Sequence, residues 1–349
     1  MLPRVVAVAL SGGVDSLITG FMIKQQYPDV FGIHFTTGYE SQPVDTAFLA
    51  SQLGFPVHIL DLKDAFKREV VDYFVSSYMT GKTPNPCLAC NEKIKFGALL
   101  DHALTMGADA LATGHYATIV NDITCPDKKE TGAWLEKGAD PKKDQSYFLA
   151  MLSVSQLSRL IFPLASARKE EILQIARHNA LTPAVSSESQ DICFIHDKNF
   201  SDFIIREKGI RPVPGPVKDG TGKVVGTHKG LHTFTIGQRR GINIPAEKPY
   251  YVRAIDMATH TLHVCFKQDL ATSVMHVDHV KWNQAGQTHG MAGITTKIRY
   301  SHRGADSDLV LDGTKGQVTF YAPQNAVTPG QAAVFYKGNR VLGAGIIQS

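Results

Sequence analysis

Two short strings carry the residue types most able to do chemistry in this chain. Residues 83–96 read TPNPCLACNEKIKF, with Cys87 and Cys90 separated by two residues between a Pro-Asn-Pro turn and a helical stretch. A pair at that spacing serves as metal ligands, as a redox couple, or as a nucleophile with a helper. Residues 11–16 read SGGVDS, between the apolar run VVAVAL and the helical LITGFMIKQQ. Gly12 and Gly13 let backbone approach an anion, Ser11 and Ser16 add hydroxyls, and a helix start supplies unpaired N–H groups and the positive dipole end. The string has neither the Gly-Lys-Ser/Thr of a Walker loop nor a dinucleotide Gly-x-Gly-x-x-Gly. Asp15 is placed to hold Mg²⁺ beside phosphate oxygens. A tight turn without a ligand is the plain alternative, and the position after a first buried strand argues against it.

The elements that must position these groups follow from patterning. VVAVAL, VFGIHFTTG, FPVHILDL and ADALATGHYA read as strands, and residues 17–26, 45–54, 64–81 and 91–107 as helices. Alternation of the two predicts an α/β layer with a parallel sheet. After about Ile195 the chain turns rich in Gly and Pro, and beyond about Ala271 it reads as short β-branched and aromatic segments with KGN as a hairpin turn. We expect three parts: an α/β domain over 1–197, a small central linker domain over 198–268, and a β-barrel over 269–349.

Bulk composition narrows the class. The chain has 349 residues, 43% of them hydrophobic and 19% charged, with a net charge of +4. That charge permits a nucleic-acid partner without demanding one. No apolar run reaches the roughly 18 residues of a membrane span, and the short apolar N-terminal run leads into a glycine turn rather than a cleavage site. The five cysteines (Cys87, Cys90, Cys125, Cys193 and Cys265) make an odd number, so a reduced cytoplasm is expected rather than a disulfide framework. Cys125 and Cys265 read as small apolar residues.

SGGVDS resembles the pyrophosphate loop of the ATP pyrophosphatases, which split ATP between its α and β phosphates and activate an oxygen with AMP. With TPNPCLACNEKIKF, ATGHYA, KKDQSYFL, ESQDICFIHDKNF, GQRRG and PGQAAVFY in order, the whole chain is similar to the bacterial tRNA-specific 2-thiouridylase family. The resemblance implies an adenine nucleotide alpha hydrolase-like domain, a linker domain and a C-terminal β-barrel. It implies ATP-dependent 2-thiolation of the wobble uridine of tRNAs for Lys, Glu and Gln. Sulfur would come from a cysteine desulfurase or a sulfur-relay protein.

The same resemblance assigns residues. Cys90 matches the nucleophile and Cys193 the persulfide carrier, with a Cys90–Cys193 disulfide as by-product. Ala9, Leu10, Ser11, Gly12, Gly13, Val14, Asp15, Ser16, Phe35 and Gly114 match the ATP site. Asn85, Pro86, Cys87, His115, Lys143, Asp144, Gln145, Arg299, Tyr300 and Gln331 match tRNA-contacting positions, and Arg239 and Arg240 are additional phosphate candidates. Cys90, read as lying just before a helix beginning near Asn91, with Lys93 and Lys95 nearby, is expected to ionise readily. Cys193 is read as lying in a strand-like apolar segment. Cys87 departs from the family pattern, which carries Asp there in several members. It opens an alternative in which Cys87, Cys90 and Cys193 ligate a [4Fe–4S] cluster. A different, amide-forming ATP pyrophosphatase is the other alternative.

Overall fold

The computed structural model describes residues 3–122, 132–185, 192–197, 199–282 and 289–348. Cys125 lies outside the described residues. The N-terminal part is built on β1 (Val5–Ala9), β2 (Asp29–Thr36), β3 (Val57–Asp61), β4 (Ala110–Ala112), a hairpin of β5 (Ala117–Asp122) and β6 (Gly132–Lys137), and β7 (Leu160–Ile161). Five of these form a parallel sheet in the order β3-β2-β1-β4-β7. Val6, Ala7 and Val8 of β1 are fully buried, as an apolar run covered on both faces by helices requires. The chain steps outward from β1 to β3, then returns to place β4 on the other side of β1. The crevice beyond the carboxyl ends of β1 and β4 is therefore the topological switch point, where open α/β sheets bind ligands. The fourth predicted strand shrinks to three residues, because after Ala112 the chain leaves the sheet for the hairpin.

Helix α1 (Val14–Gln26) follows the glycine loop. The next, Thr46–Leu53, is capped by the Asp45 side chain, which accepts from the Phe48 N–H at 2.9 Å, and stops at Gly54 with φ 68°. Residues 63–79 form the predicted long helix and bury Phe66, Val70, Phe74 and Tyr78.

A middle sheet of β8 (Gly215–Lys218), β9 (Val224–His228), β10 (Tyr251–Asp256) and β11 (Thr261–Cys265) runs in the order β10-β11-β8-β9 around Val217, Phe234, Val252 and Leu262. Cys265, on β11, is buried as expected. The C-terminal strands are β12 (Ala271–Trp282), β13 (Gly290–Lys297), β14 (Ala305–Asp312), β15 (Lys315–Asn325), β16 (Ala332–Lys337) and β17 (Arg340–Ile347). They run β12-β15-β14-β13-β16-β17, and a further β12–β17 pairing closes the barrel.

The barrel does not stand apart. β6 adds to β17 with Arg340 opposite Glu136, which carries the β5–β6 hairpin onto the same sheet. Tyr147 and Leu149 share one apolar core with Ala332, Val334 and Tyr336 of the barrel. The Tyr147 hydroxyl donates to the Ala332 carbonyl at 2.9 Å. Burying aromatics of this size is worth roughly 2–3 kcal/mol each, so the junction is held as firmly as a domain interior. No helix among the described residues is long and apolar enough to cross a membrane.

Candidate active site

The helix bearing Cys87 and Cys90 starts earlier than the sequence suggests. Asn85 is its N-cap and accepts from the Leu88 N–H at 3.3 Å, and Pro86 takes the first helical position. The Pro-Asn-Pro run is therefore the cap itself. Cys87 lies in the first turn, and Cys90 sits three residues on, along the same face. The strongest N-terminal dipole acts on Cys87 rather than on Cys90.

From Cys90 to Ala98 the helix widens to π geometry, ending with the Leu99 N–H on the Ile94 carbonyl. A side chain from outside accounts for it. Gln156 Nε2 donates to the carbonyls of Glu92 at 3.1 Å and Phe96 at 2.7 Å. Its Oε1 is held by the Ser153 N–H at 2.9 Å. Insertion of a donor into the ladder is a known cause of such a bulge, and bulges of this kind concentrate at functional sites.

Cys193 is not in a strand. Residues 192–195 form a turn closed by the Ile195 N–H on the Ile192 carbonyl at 3.0 Å. Phe194 is the anchor, packed edge-on against Phe66 and Phe74 at centroid distances of 5.8 and 5.4 Å. The apolar neighbours that suggested a strand are the plug that leaves Cys193 facing solvent.

The structure brings the three thiols into one electrostatic neighbourhood. Solvent reaches Cys87 and Cys193, whereas Cys90 is half-buried. Protein crowding all three raises each thiol above its usual range, Cys90 to about 12. Desolvation dominates in each case, and Lys95 is the cation that opposes it at all three. The expected easy ionisation of Cys90 is thus reversed: burial outweighs Lys95, and the dipole is strongest one turn away. Among the described residues, no three His, Cys, Asp or Glu side chains converge closely enough to hold a metal ion.

The glycine loop has the form of a phosphate cradle. Gly12 has φ +86°, and a Cβ there would meet Val44 and Val185 side chains at 3.1 Å. Ser16 Oγ donates to the Gly13 carbonyl at 2.9 Å and accepts from the Ser11 N–H at 3.2 Å. No side chain caps α1, so its first N–H groups stay open to an anion. Ala9 ends β1, and the Leu10 carbonyl is fixed by His34 Nδ1 at 2.8 Å. Phe35, near the end of β2, packs half-buried against two core clusters. Gly114 has a steric reason to be glycine: a Cβ would lie 2.9 Å from the Asp15 carbonyl carbon.

Asp15 is held in a way the sequence did not disclose. Lys169 Nζ and the Tyr116 hydroxyl both donate to its Oδ1 at 2.7 Å. Lys169 lies on the buried face of helix Lys169–His178 together with Ile172 and Ala176. A lysine in register with that apolar face was the available signal.

The remaining predicted contacts divide. Tyr300 is exposed and its ring packs tilted by 31° against Phe148 at a centroid distance of 4.6 Å, with Lys297 Nζ 5.7 Å from its ring centroid. Arg239 and Arg240 are exposed, whereas Arg299 is half-buried and donates to the Asn325 carbonyl at 3.5 Å. His115 is buried between Phe96 and Phe162, hydrogen-bonded to Thr113 at 2.7 Å, and held neutral by burial. Asp144 accepts from the Gly138 and Ser146 N–H groups, Gln145 Oε1 accepts from the Tyr116 N–H, and Lys143 stands between Asp140 and Asp144 in the same turn. Gln331 points at the backbone of Thr83 and Pro84. Lys169, Tyr116, Gln156, Phe148 and Lys297 were absent from the sequence-based set.

Residues 4–197 match a family model described as tRNA methyl transferase HUP domain. Residues 201–266 match tRNA methyl transferase PRC-barrel domain, and residues 272–347 match Aminomethyltransferase beta-barrel domain. The chain is 49% identical over 349 residues to the tRNA-specific 2-thiouridylase MnmA of Desulfosudis oleivorans, covering 99% of this chain and 95% of that one. It is 38% identical over 358 residues to the protein of the same name from Moorella thermoacetica, covering 98% and 99%. Among solved structures, the U34-tRNA thiolase NcsA from Methanococcus maripaludis with its [4Fe-4S] cluster aligns over 58% of this chain and 65% of that chain, at 20% identity and a TM-score of 0.35.

Proposed function

Because the chain belongs to the tRNA-specific 2-thiouridylase family, we propose that it is a sulfurtransferase that replaces the 2-oxygen of a tRNA uridine with sulfur, using ATP. The observation that carries this reading is one molecule holding both an open phosphate cradle at the sheet's switch point and three thiols in one electrostatic neighbourhood opposed by the same Lys95.

The finer reading is the wobble uridine of tRNAs for Lys, Glu and Gln, in the cytoplasm, with a cysteine desulfurase or relay protein as sulfur source. The cradle fits ATP: open N–H groups of α1 and the side-chain-free Gly12 suit the polyphosphate. Asp15, beside Lys169, is the carboxylate that would hold Mg²⁺, which neutralises phosphate charge when bound. The uridine O2 attacks the α-phosphorus, pyrophosphate leaves, and C2 now carries an AMP leaving group. The terminal sulfur of a Cys193 persulfide attacks C2 and expels AMP. The Cys90 thiolate then attacks Cys193 Sγ, releasing the thiocarbonyl and leaving a Cys90–Cys193 disulfide for an external thiol to reduce. Cys90 must lose its proton for that step, and Lys95 is the group that eases it.

A cluster held by Cys87, Cys90 and Cys193 fits less well, since these thiols do not converge as ligands among the described residues. Amide formation leaves the thiols without a task.

The test uses protein purified without oxygen, unmodified tRNA, ATP, Mg²⁺ and a persulfide donor, with 2-thiouridine and pyrophosphate as readouts. We expect Cys193→Ser to release pyrophosphate without thiolating, and Cys90→Ser to lose turnover. Full thiolation by Cys193→Ser, or activity that tracks bound iron, would overturn the relay.

A further inference from the structure

Residues of the middle domain and of the barrel both touch residues 81–84, immediately ahead of the cap of the thiol helix. A Cβ at Gly81 would meet Met257 Cγ at 3.2 Å and Ile255 Cγ2 at 3.3 Å, so the middle sheet packs directly against it. Thr83 Oγ1 donates to Thr235 Oγ1 at 3.3 Å. From the barrel side, Lys82 Nζ donates to Gln348 Oε1 at 3.2 Å, and the Thr83 N–H donates to the Pro329 carbonyl at 2.8 Å. Gln331 Nε2 donates to two consecutive carbonyls, Thr83 at 3.0 Å and Pro84 at 3.1 Å. The next residue is Asn85, the N-cap. Beyond the cysteines, Lys281 of β12 pairs with Glu92, two residues after Cys90. The barrel therefore grips the thiol helix on both sides of the Cys87–Cys90 pair.

We infer that Gln331 is a positioning residue: it transmits the seating of the barrel to the thiols through the carbonyls of Thr83 and Pro84. This rests on the thiolation reading for its functional consequence. The chemistry of the side chain suits the task. A carboxamide nitrogen carries two N–H donors, one for each carbonyl. A glutamate there would present only lone pairs to two acceptors, and an asparagine falls a methylene short. Both carbonyls precede the cap, so a shift in either tilts the first turn, which carries Cys87, and then Cys90. An RNA seated against the barrel would act on Cys90 through the same strut.

The test compares wild type with Gln331→Glu and Gln331→Asn, reading 2-thiouridine formation at varied tRNA and iodoacetamide alkylation of each cysteine without RNA. We expect kcat to fall about tenfold with the tRNA KM held within about twofold. We also expect alkylation of Cys87 and Cys90 to change about threefold or more, with Cys265 unmoved. A raised KM with kcat and alkylation unchanged would make Gln331 a direct RNA contact and overturn the inference. The second grip supplies an independent variant. Glu92→Lys lowers kcat, and adding Lys281→Glu restores at least about half of the loss; a double variant no better than the single one counts against the brace. A wild type that forms no 2-thiouridine refutes the proposed function, while the alkylation comparison still decides the role of Gln331.

Discussion

Lys169 Nζ lies 2.7 Å from Asp15 Oδ1 across 154 residues of sequence, and the lysine side chain is only 9% exposed. A largely buried ammonium is thereby fixed at the phosphate loop, on the same oxygen that the Tyr116 hydroxyl reaches. Asp15→Asn keeps the shape and removes the charge. A charge-assisted hydrogen bond is worth about 1.5–3 kcal/mol, so urea unfolding should report a loss of about that size, together with weaker ATP binding. An unchanged unfolding midpoint would mean the pair contributes nothing.

Lys95 opposes desolvation at Cys87, Cys90 and Cys193 alike. Lys95→Ala should raise all three thiols further, shrink their thiolate fraction near pH 8, and slow their alkylation. Cys265 responds to Arg253 rather than Lys95 and serves as the internal control. Equal alkylation rates with and without Lys95 would refute the assignment.

The upward shift of Cys90 also predicts a pH dependence. Its thiol goes from an ordinary value of 9.0 to about 12 in the folded chain, chiefly through desolvation. The folded state therefore holds that proton more tightly than the unfolded state does. The stability this contributes is complete below about pH 9 and is lost as pH rises toward 12. Unfolding midpoints at pH 8 and 10.5 should fall further for wild type than for Cys90→Ser, and parallel falls would contradict it.

Phe194 tests how Cys193 is presented. The ring is 2% exposed and packs on Phe66, Phe74 and Phe203. Phe194→Ala should cost about 3–5 kcal/mol and abolish thiolation while pyrophosphate release survives in the folded fraction. Retained thiolation would show that the turn does not depend on its plug.

The parallel sheet was legible because β1 is continuously apolar and the glycine loop follows it directly. The barrel strands were legible from their β-branched runs. The hairpin at Gly338 was legible too, since that residue takes φ +62° between paired Lys337 and Arg340. The errors came where local pattern served a distant partner. Asn85-Pro86 is a good helix start by residue type, yet Pro-Asn-Pro also reads as a turn, and that choice moved Cys90 outside its helix. The apolar residues around Cys193 read as strand because the aromatic cluster they plug is assembled from residues 66, 74 and 203. The π turn depends on Gln156 and the Asp15 pair on Lys169, each more than 50 residues away. No local pattern encodes the first, and the only local hint of the second is a lysine in register with the buried Ile172 and Ala176.

The β6–β17 junction bears on how such proteins can be rearranged. The register of Arg340 against Glu136 puts two stretches far apart in sequence into one hydrogen-bonded sheet. A chimaera that exchanges barrels between relatives by cutting only near residue 269 would mate a foreign edge to a native hairpin. A graft that carries residues 117–122 and 132–137 along with the barrel keeps that seam intact, and should be the form that expresses as folded protein.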